Sequence, residues 1–434
     1  MLGSPSESNF RHGTTAESPH VFSSRGRQYF GSRALRQGAG FALASLTTSV
    51  LGGMITAALA RVMSVDHYAV YSFSNSVLSF TIVFFEFGLL VPAARRLAIA
   101  PQQEHAAILG AATLVLAGLS VVFSLTVFAL SFVIDAMFTV QVGDTLRVLS
   151  VVAASWLIPF GLLMLAQGVG RLGTYSAANV ASRALCLIAI LALLGLGVSI
   201  SPILALLAQA ISVLIAFSWM LARLHPTWGD TRQCIRGLVR DAREYGFSIY
   251  VGRVLAMGTY NMDVLMLGVL ARPHDVAFYA LAGSIALPVS FVPAGLSAAF
   301  FSDMTRVPRL RRSWILATGG FSLIGGVAAA GLAYPFVHIV LGSRYAEVIG
   351  LVVILALAQV VSGVTRLFNS FLWAYARGRE LRMASIGLML VNLILNFVLI
   401  PKFGAAGAAW ASVLALIVNL ILHFVGYRRI PTTS

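Results

Sequence analysis

Long apolar runs separated by short polar stretches recur along the whole chain. They fall near 39–60, 67–92, 106–136, 146–167, 173–197 and 202–222, and again near 246–270, 276–301, 314–340, 348–373, 382–400 and 405–427. Each is long enough to cross a bilayer core, which takes about 20 apolar residues per helix. Most lack strict apolar/polar alternation, so a membrane β-barrel is disfavoured. The pattern predicts an all-α integral membrane fold of twelve transmembrane helices. It divides into a Ser/Gly/Arg-rich tail (1–38), a first six-helix lobe (39–222), a basic linker (223–245), a second six-helix lobe (246–427) and a short C-terminus (428–434). The tail has no apolar core of its own and reads as disordered rather than as a cleaved signal peptide.

Composition strengthens the membrane reading. The 434 residues are 59% hydrophobic and 10% charged, with mean hydropathy +0.88; soluble domains carry about 25% charged residues. Arg and Lys number 30 against 15 acids, an excess that in a soluble protein would point to nucleic acid. Its distribution excludes that partner. With alternate loops assigned to one side, that side receives 22 basic residues and the other 5, namely Arg61, Arg147, Arg272, Arg344 and Lys402. Basic residues concentrate in cytoplasmic loops, so both termini are expected in the cytoplasm. The two cysteines, Cys186 and Cys234, lie in an apolar span and a basic loop, which fits neither a disulfide nor a metal site.

The chain is also doubled. "AVYS" at 69–72 resembles "AFYA" at 277–280, and "GRLGTYSAANVASRALCL" from Gly170 lies opposite "GRELRMASIGLMLVNLIL" from Gly378, both at an offset of 208. Six spans per half is an even number, so the halves enter the membrane from the same side as parallel repeats. Two such lobes around a central cavity form a transporter architecture.

Near the C-terminus, "NLILNFVLIPKFGAAGAAWAS" (392–412) carries Asn392 and Asn396 on one helical face. In lipid that face has to look at another helix or at water. Pro401 is expected to end the helix, with Gly404 and Gly407 turning the chain into the last span. The pattern N-x3-N-x3-IP-x2-G-x2-GAAWAS resembles the penultimate hairpin of polysaccharide flippases in the multidrug/oligosaccharidyl-lipid/polysaccharide exporter superfamily. "FFEFGLLVPAARRLA" (84–98) and "YNMDVLMLGVLARPHDVAFYALA" (260–282) are similar to that family's second- and seventh-helix signatures. The resemblance spans roughly residues 30–428. It implies a non-enzymatic translocase of undecaprenyl-pyrophosphate-linked oligosaccharide repeat units in the bacterial inner membrane, serving lipopolysaccharide or exopolysaccharide synthesis. Membrane lipids, a polysaccharide polymerase and a co-polymerase are the implied partners. No cofactor is implied beyond H+ or Na+ as a coupling ion.

Charged residues inside spans are costly and mark function. Arg183, Arg253 and Arg366 fall within spans, as do Glu86 and Asp263. Guanidinium groups suit the phosphate oxygens of a lipid pyrophosphate, so the three arginines, with Asn369, Asn392 and Asn396, are the candidate substrate contacts. The alternative for each arginine is an interhelical pair or, for Arg253, snorkelling to the interface. Glu86 and Asp263 are either counter-ions for those arginines or sites that couple transport to a cation or proton gradient. Asn75, Asn179, Gln209, Asn261, Gln359 and Asn419 are candidates for a polar path or for interhelical hydrogen bonds. His338 and His423 read as interfacial.

Three rival functions share parts of this pattern. A cation-coupled multidrug exporter has the same topology but not the IPKFGAAGAAWAS hairpin. A peptidoglycan-precursor flippase usually has fourteen spans. A glycolipid polymerase or ligase needs a sizeable external loop, and the longest here, around 137–146, has about ten residues and one acid.

Overall fold

A computed structural model describes residues 24–85, 89–229, 231–243, 250, 262–304, 306–375 and 377–430, with backbone only at 24–39, 41, 42 and 302. The described residues are helical, without strands. In chain order the principal helices are α1 (Ser24–Val62), α2 (Val65–Ile82), α3 (Leu90–Ile99), α4 (His105–Leu130), α5 (Gly143–Leu149), α6 (Ala154–Val169), α7 (Leu172–Gly195) and α8 (Pro202–Leu224). After the linker helix α9 (Thr231–Asp241) come α10 (Pro273–Ala286), α11 (Phe291–Met304), α12 (Arg312–Phe336), α13 (Val348–Ala374) and α14 (Gly378–Arg428).

Among the described residues nine helices are long and apolar enough to cross a membrane, or ten if the pair 143–152 and 154–169, bent by 49°, is one span. The 51-residue α14 contains two crossings. Gly404 inside it has φ 54° and ψ −132°, and the two arms fold back on each other. Gly407 lies against the carbonyl of Leu399, Gly387 against Leu422, and Gly426 against Glu380, an antiparallel order. Eleven crossings are therefore accounted for. The expected seventh span, 246–270, falls mostly outside the described residues, with 262–270 helical.

Three expectations change. Residues 24–38, read as tail, form the start of α1; Arg, Gln, Ala and Leu in this stretch are good helix formers even without an apolar core. The helix does not end at Pro401, which is accommodated in its last turn; the chain turns at Gly404, as expected. Only a glycine tolerates that backbone, and a Cβ there would stand 2.5 Å from Asp275 Oδ1. Asp275 in turn accepts a hydrogen bond from the Ala405 N–H at 3.0 Å and so caps the returning arm. Within the predicted second span, 67–92, α2 tightens into a 3-10 turn at Val83–Phe85, and α3 begins at Leu90.

The repeat is visible in the caps. Ser64 and Arg272, 208 residues apart, occupy the position before α2 and α10. Arg171 donates to the Arg223 carbonyl and Arg377 to the Arg429 carbonyl, each closing the end of its half.

Among the described residues the two halves meet unevenly. At the arginine-poor end, Arg61 Nη1 donates to the carbonyls of Ile339 (2.9 Å) and Val340 (2.8 Å). Arg344 Nη2 returns to Ala60 (2.8 Å) and Arg61 (2.6 Å). Thr139 Oγ1 donates to Gly268 and Ala271, and the Phe73 ring packs on Gly268, where a Cβ would have no room. At the arginine-rich end Tyr250 OH donates to the Phe84 carbonyl at 3.0 Å. The buried cores repeat this asymmetry. One cluster runs through the first half and into Val276, Tyr345, Val352 and Ile400 of the second. Another, with Met304, Trp314, Phe368 and Phe371, stands alone at the arginine-rich end.

The linker helix α9 docks on the first half. Leu238 is buried, and Arg96 grips Asp241 with Nε and Nη2 together. That hydrogen-bonded guanidinium holds the Asp241 carboxyl below the usual carboxylate range. Arg232, Arg236 and Arg240 point outward from the opposite face.

Candidate functional site

Between the halves lies a cavity of about 710 Å³, in the range of ligand sites. Helical periodicity explains its walls. From α2, Tyr68, Tyr71, Ser72, Asn75 and Ser76 share one face; from α13, Leu355, Gln359, Ser362 and Arg366 do the same. Arg183 of α7, Gln209 of α8 and, from α1, Thr48, Gly52 and Thr56 complete the first half's wall. Tyr279, Asp263, Asn392 and Ser412 supply the second half's.

Two guanidinium groups face this space from opposite halves. Arg183 is half-buried and Arg366 exposed to the cavity. Arg183 lies eleven residues into α7, and Arg366 eight residues before the end of α13. At 1.5 Å per residue both sit roughly 12–17 Å from the arginine-rich helix ends, near the middle of a ~30 Å hydrocarbon core. Neither has a hydrogen-bond or ion-pair partner among the described residues. Asp263 is the single described acid in the lining, against two described arginines.

Asp263 is held by neutral donors, which answers the counter-ion question for the described residues. Tyr279 OH and Ser412 Oγ both donate to its Oδ2 at 2.6 Å, and Asn396 Nδ2 donates to Oδ1 at 2.6 Å. Asn396 Nδ2 also reaches Asn392 Oδ1 at 3.1 Å. Asn396 is fully buried, and its Oδ1 has no partner among the described residues, so the cluster retains an oxygen acceptor that none of them uses. The returning arm after Gly404 makes this possible. Ala405, Ala408, Ala409 and Ala411 are buried and bring Ser412 close to the Asn392–Asn396 face.

The structure thus brings Arg183, Arg366, Asp263, Asn392 and Asn396 to one region. Asn369 is not in the cavity lining; its Nδ2 donates to His423 Nε2 at 3.0 Å, while His423 Nδ1 bonds the Asn419 carbonyl at 2.8 Å. His423, read as interfacial, is 3% exposed and belongs to this interhelical chain. Glu86, Arg253 and Asn261 lie outside the described residues. Asn75, Gln209 and Gln359 line the cavity. Asn75 Oδ1 accepts from Trp156 Nε1 (3.1 Å) and Gln209 Nε2 (3.3 Å), so two of these amides serve the wall and each other. Tyr279 and Ser412 were not singled out as site residues from the sequence. Tyr279 carries a usable signal, since it stands at the repeat position of Tyr71 and both tyrosines line the cavity.

Comparison with known proteins bears on this geometry. The family model described as "Polysaccharide biosynthesis protein" matches residues 35–301. No curated protein sequence matches the chain. Among solved structures, the fold is similar to lipid II flippase MurJ in an inward closed conformation, at TM-score 0.72 and 14% identity over 90% of this chain and 88% of that one. It is also similar to an inward-facing multidrug resistance MATE transporter of the MOP superfamily, at TM-score 0.67 and 15% identity over 91% and 99%. The outward-facing conformation of such a MATE transporter gives TM-score 0.60, 15% identity, over 92% and 95%. At these identities the likeness concerns the fold: two helical lobes around a central cavity, in a multi-pass membrane protein.

Proposed function

The chain belongs to the polysaccharide biosynthesis protein family, and on that premise we propose that it is a flippase. Its cargo is an undecaprenyl-pyrophosphate-linked oligosaccharide repeat unit, moved from the cytoplasmic to the outer leaflet for cell-surface polysaccharide synthesis. The observation that carries the reading is the pair Arg183 and Arg366, guanidiniums that face one cavity from the two halves and have no partner among the described residues. Exposing such groups at mid-membrane depth costs at least ~2.5 kcal/mol each on insertion scales. An anion that takes their hydrogen bonds offsets this, and a pyrophosphate offers several oxygens in the geometry a guanidinium fork prefers.

The orientation rests on the positive-inside rule, which assigns the arginine-rich end to the cytoplasm. The lobes are zipped by Arg61, Arg344 and Thr139 at the other end, so the cavity is read as facing the cytoplasm, where the cargo is made. Alternating access then requires those contacts to break and the arginine-rich ends to close.

Asp263 is read as the coupling site. A carboxylate ringed by Tyr279, Ser412 and Asn396, with the Asn396 oxygen unused, is suited to a proton or to Na+, a hard cation that takes oxygen ligands. The second reading, a cation-coupled multidrug exporter, is favoured by the likeness to MATE transporters. It is opposed by the two cavity arginines, which have no acidic partner among the described residues and repel cationic drugs. Polymerase and co-polymerase partners remain part of the proposal through the family alone.

The test is binding of a polyprenyl pyrophosphate to purified protein. Arg183→Lys keeps the charge and loses the fork, and is expected to bind partly. Arg183→Gln is expected to lose ten- to a hundredfold, the range for one charge-assisted contact of about 1.5–3 kcal/mol. Unchanged binding in Arg183→Gln, at equal folded yield, overturns the assignment.

A further inference from the structure

A second space lies away from the central cavity, in the first half alone. It is a groove of about 730 Å³ between α4, the bent segment α5–α6, and α8. Its floor is Leu116, Leu162 and Phe217, all buried, and its rim is Val121, Leu125 and Val151, which are 60%, 62% and 85% exposed. In a chain that crosses a membrane these rim residues face hydrocarbon. The groove therefore takes up a lipid chain rather than water, and what remains to be decided is which lipid.

Two features choose. The first is length. The α4 residues that line the groove run from Thr113 to Phe128, about 22 Å at 1.5 Å per residue. One leaflet of a ~30 Å core is about 15 Å deep, so the groove continues past the midplane, beyond where the acyl chain of one leaflet ends. The second is its polar end. Arg147 closes the groove at the arginine-poor end, with its guanidinium 4.4 Å from the Phe132 ring centroid. Arg147 Nη1 donates to Asp144, whose side chain is 92% exposed, and such surface pairs are weak. Arg147 Nε is buried and has no partner among the described residues. A long apolar channel headed by a guanidinium with donors to spare fits a phosphate-bearing lipid with one long chain.

We propose that this groove binds the isoprenoid chain of a polyprenyl phosphate lipid, with its phosphate at Arg147. The choice of an isoprenoid over an acyl chain rests on the translocase reading above; the existence of the groove does not. Its phosphate-binding end, at the arginine-poor side, suits the carrier lipid in the leaflet that receives the cargo.

The experiment is native mass spectrometry of the full chain with undecaprenyl phosphate or phosphatidylglycerol as probe. It is run on Arg183→Gln/Arg366→Gln protein so that the central cavity does not contribute. Undecaprenyl phosphate is expected to bind at least tenfold more tightly than phosphatidylglycerol. Arg147→Gln is expected to weaken it about tenfold, and the groove-filling Ala154→Trp to abolish it. Ala117→Phe on the exposed wall provides a second filling variant should Ala154→Trp fold poorly. Equal binding of the two lipids, or undecaprenyl phosphate binding that survives groove filling, overturns the proposal. If groove binding holds while cavity-dependent pyrophosphate binding is absent, the translocase reading fails and the groove stands; the reverse result sinks the groove alone.

Discussion

Substituting Asp263 separates its structural role from its proposed coupling role, because the hydrogen bonds around it have traceable fallbacks. In Asp263→Asn the amide oxygen can still accept from Tyr279 and Ser412, now at 2.6 Å from Oδ2. The new NH2 then faces Asn396, whose own Oδ1 lacks a partner and can swing in to accept. The cost is the charge assistance plus the 3.1 Å Asn396–Asn392 bond, about 1–2 kcal/mol. In Asp263→Ala all three donors lose their acceptor and a small void opens. Ser412 still has the Ala408 carbonyl at 3.1 Å and Tyr279 still has Ser412 at 3.1 Å, so the loss is held to about 3–5 kcal/mol. Thermal unfolding in detergent should therefore rank wild type, Asn, then Ala. Transport in proteoliposomes under imposed Na+ or proton gradients should lose its gradient response in Asp263→Asn, at near-normal folded yield. A response retained in Asp263→Asn refutes the coupling role. Equal destabilisation by Asn and Ala refutes the hydrogen-bond reasoning.

Four further outcomes follow. Gly404→Ala should lower the unfolding midpoint by the equivalent of about 2–4 kcal/mol, from positive-φ strain and the clash with Asp275; an unchanged midpoint contradicts the turn assignment. Asp241→Asn should release α9 and raise thiol labelling of Cys234 severalfold at neutral pH. Because the Asp241 pKa is lowered on folding, its contribution is present above the ordinary carboxylate range near 4 and lost as pH falls through the lowered value; loss at pH 6–7 contradicts the pairing. Arg61→Gln/Arg344→Gln removes four carbonyl contacts at the arginine-poor end and should raise labelling of a Thr56→Cys cavity probe from that side. On a cysteine-free background, Arg309→Cys and Arg377→Cys should label from the cytoplasm and Asp144→Cys and Lys402→Cys from outside; external labelling of the Arg309 site inverts the orientation.

Much of the fold was legible because lipid imposes a simple rule on sequence. The runs 202–222 and 348–373 correspond to helices Pro202–Leu224 and Val348–Ala374. Arg183, Arg366 and Asp263 could be singled out because a charge among apolar neighbours is conspicuous. What hydropathy cannot encode is direction around a helix set by packing. Asn369 and Arg366 are three residues apart on α13, yet Arg366 faces the cavity while Asn369 bonds His423. The bend of 49° within the fourth span is equally silent, since both segments remain apolar. The helical state of 24–38 is silent in hydropathy because the stretch is polar, and its helix-forming residues carry no apolar pattern. The partners of Asp263 come from three separate spans and meet through the Gly404 hairpin, a long-range arrangement that no local pattern announces.

The central claim is that the cavity carries an anionic lipid-linked sugar. It is tested most directly by reconstituting the protein in vesicles with an undecaprenyl-pyrophosphate oligosaccharide in one leaflet. A membrane-impermeant glycosidase added outside then reports the cargo that reaches the outer leaflet. The account predicts that wild-type protein increases the accessible fraction, that Arg183→Gln/Arg366→Gln at equal folded amount does not, and that a cationic dye is not transported. Dye transport without movement of the lipid-linked sugar contradicts it.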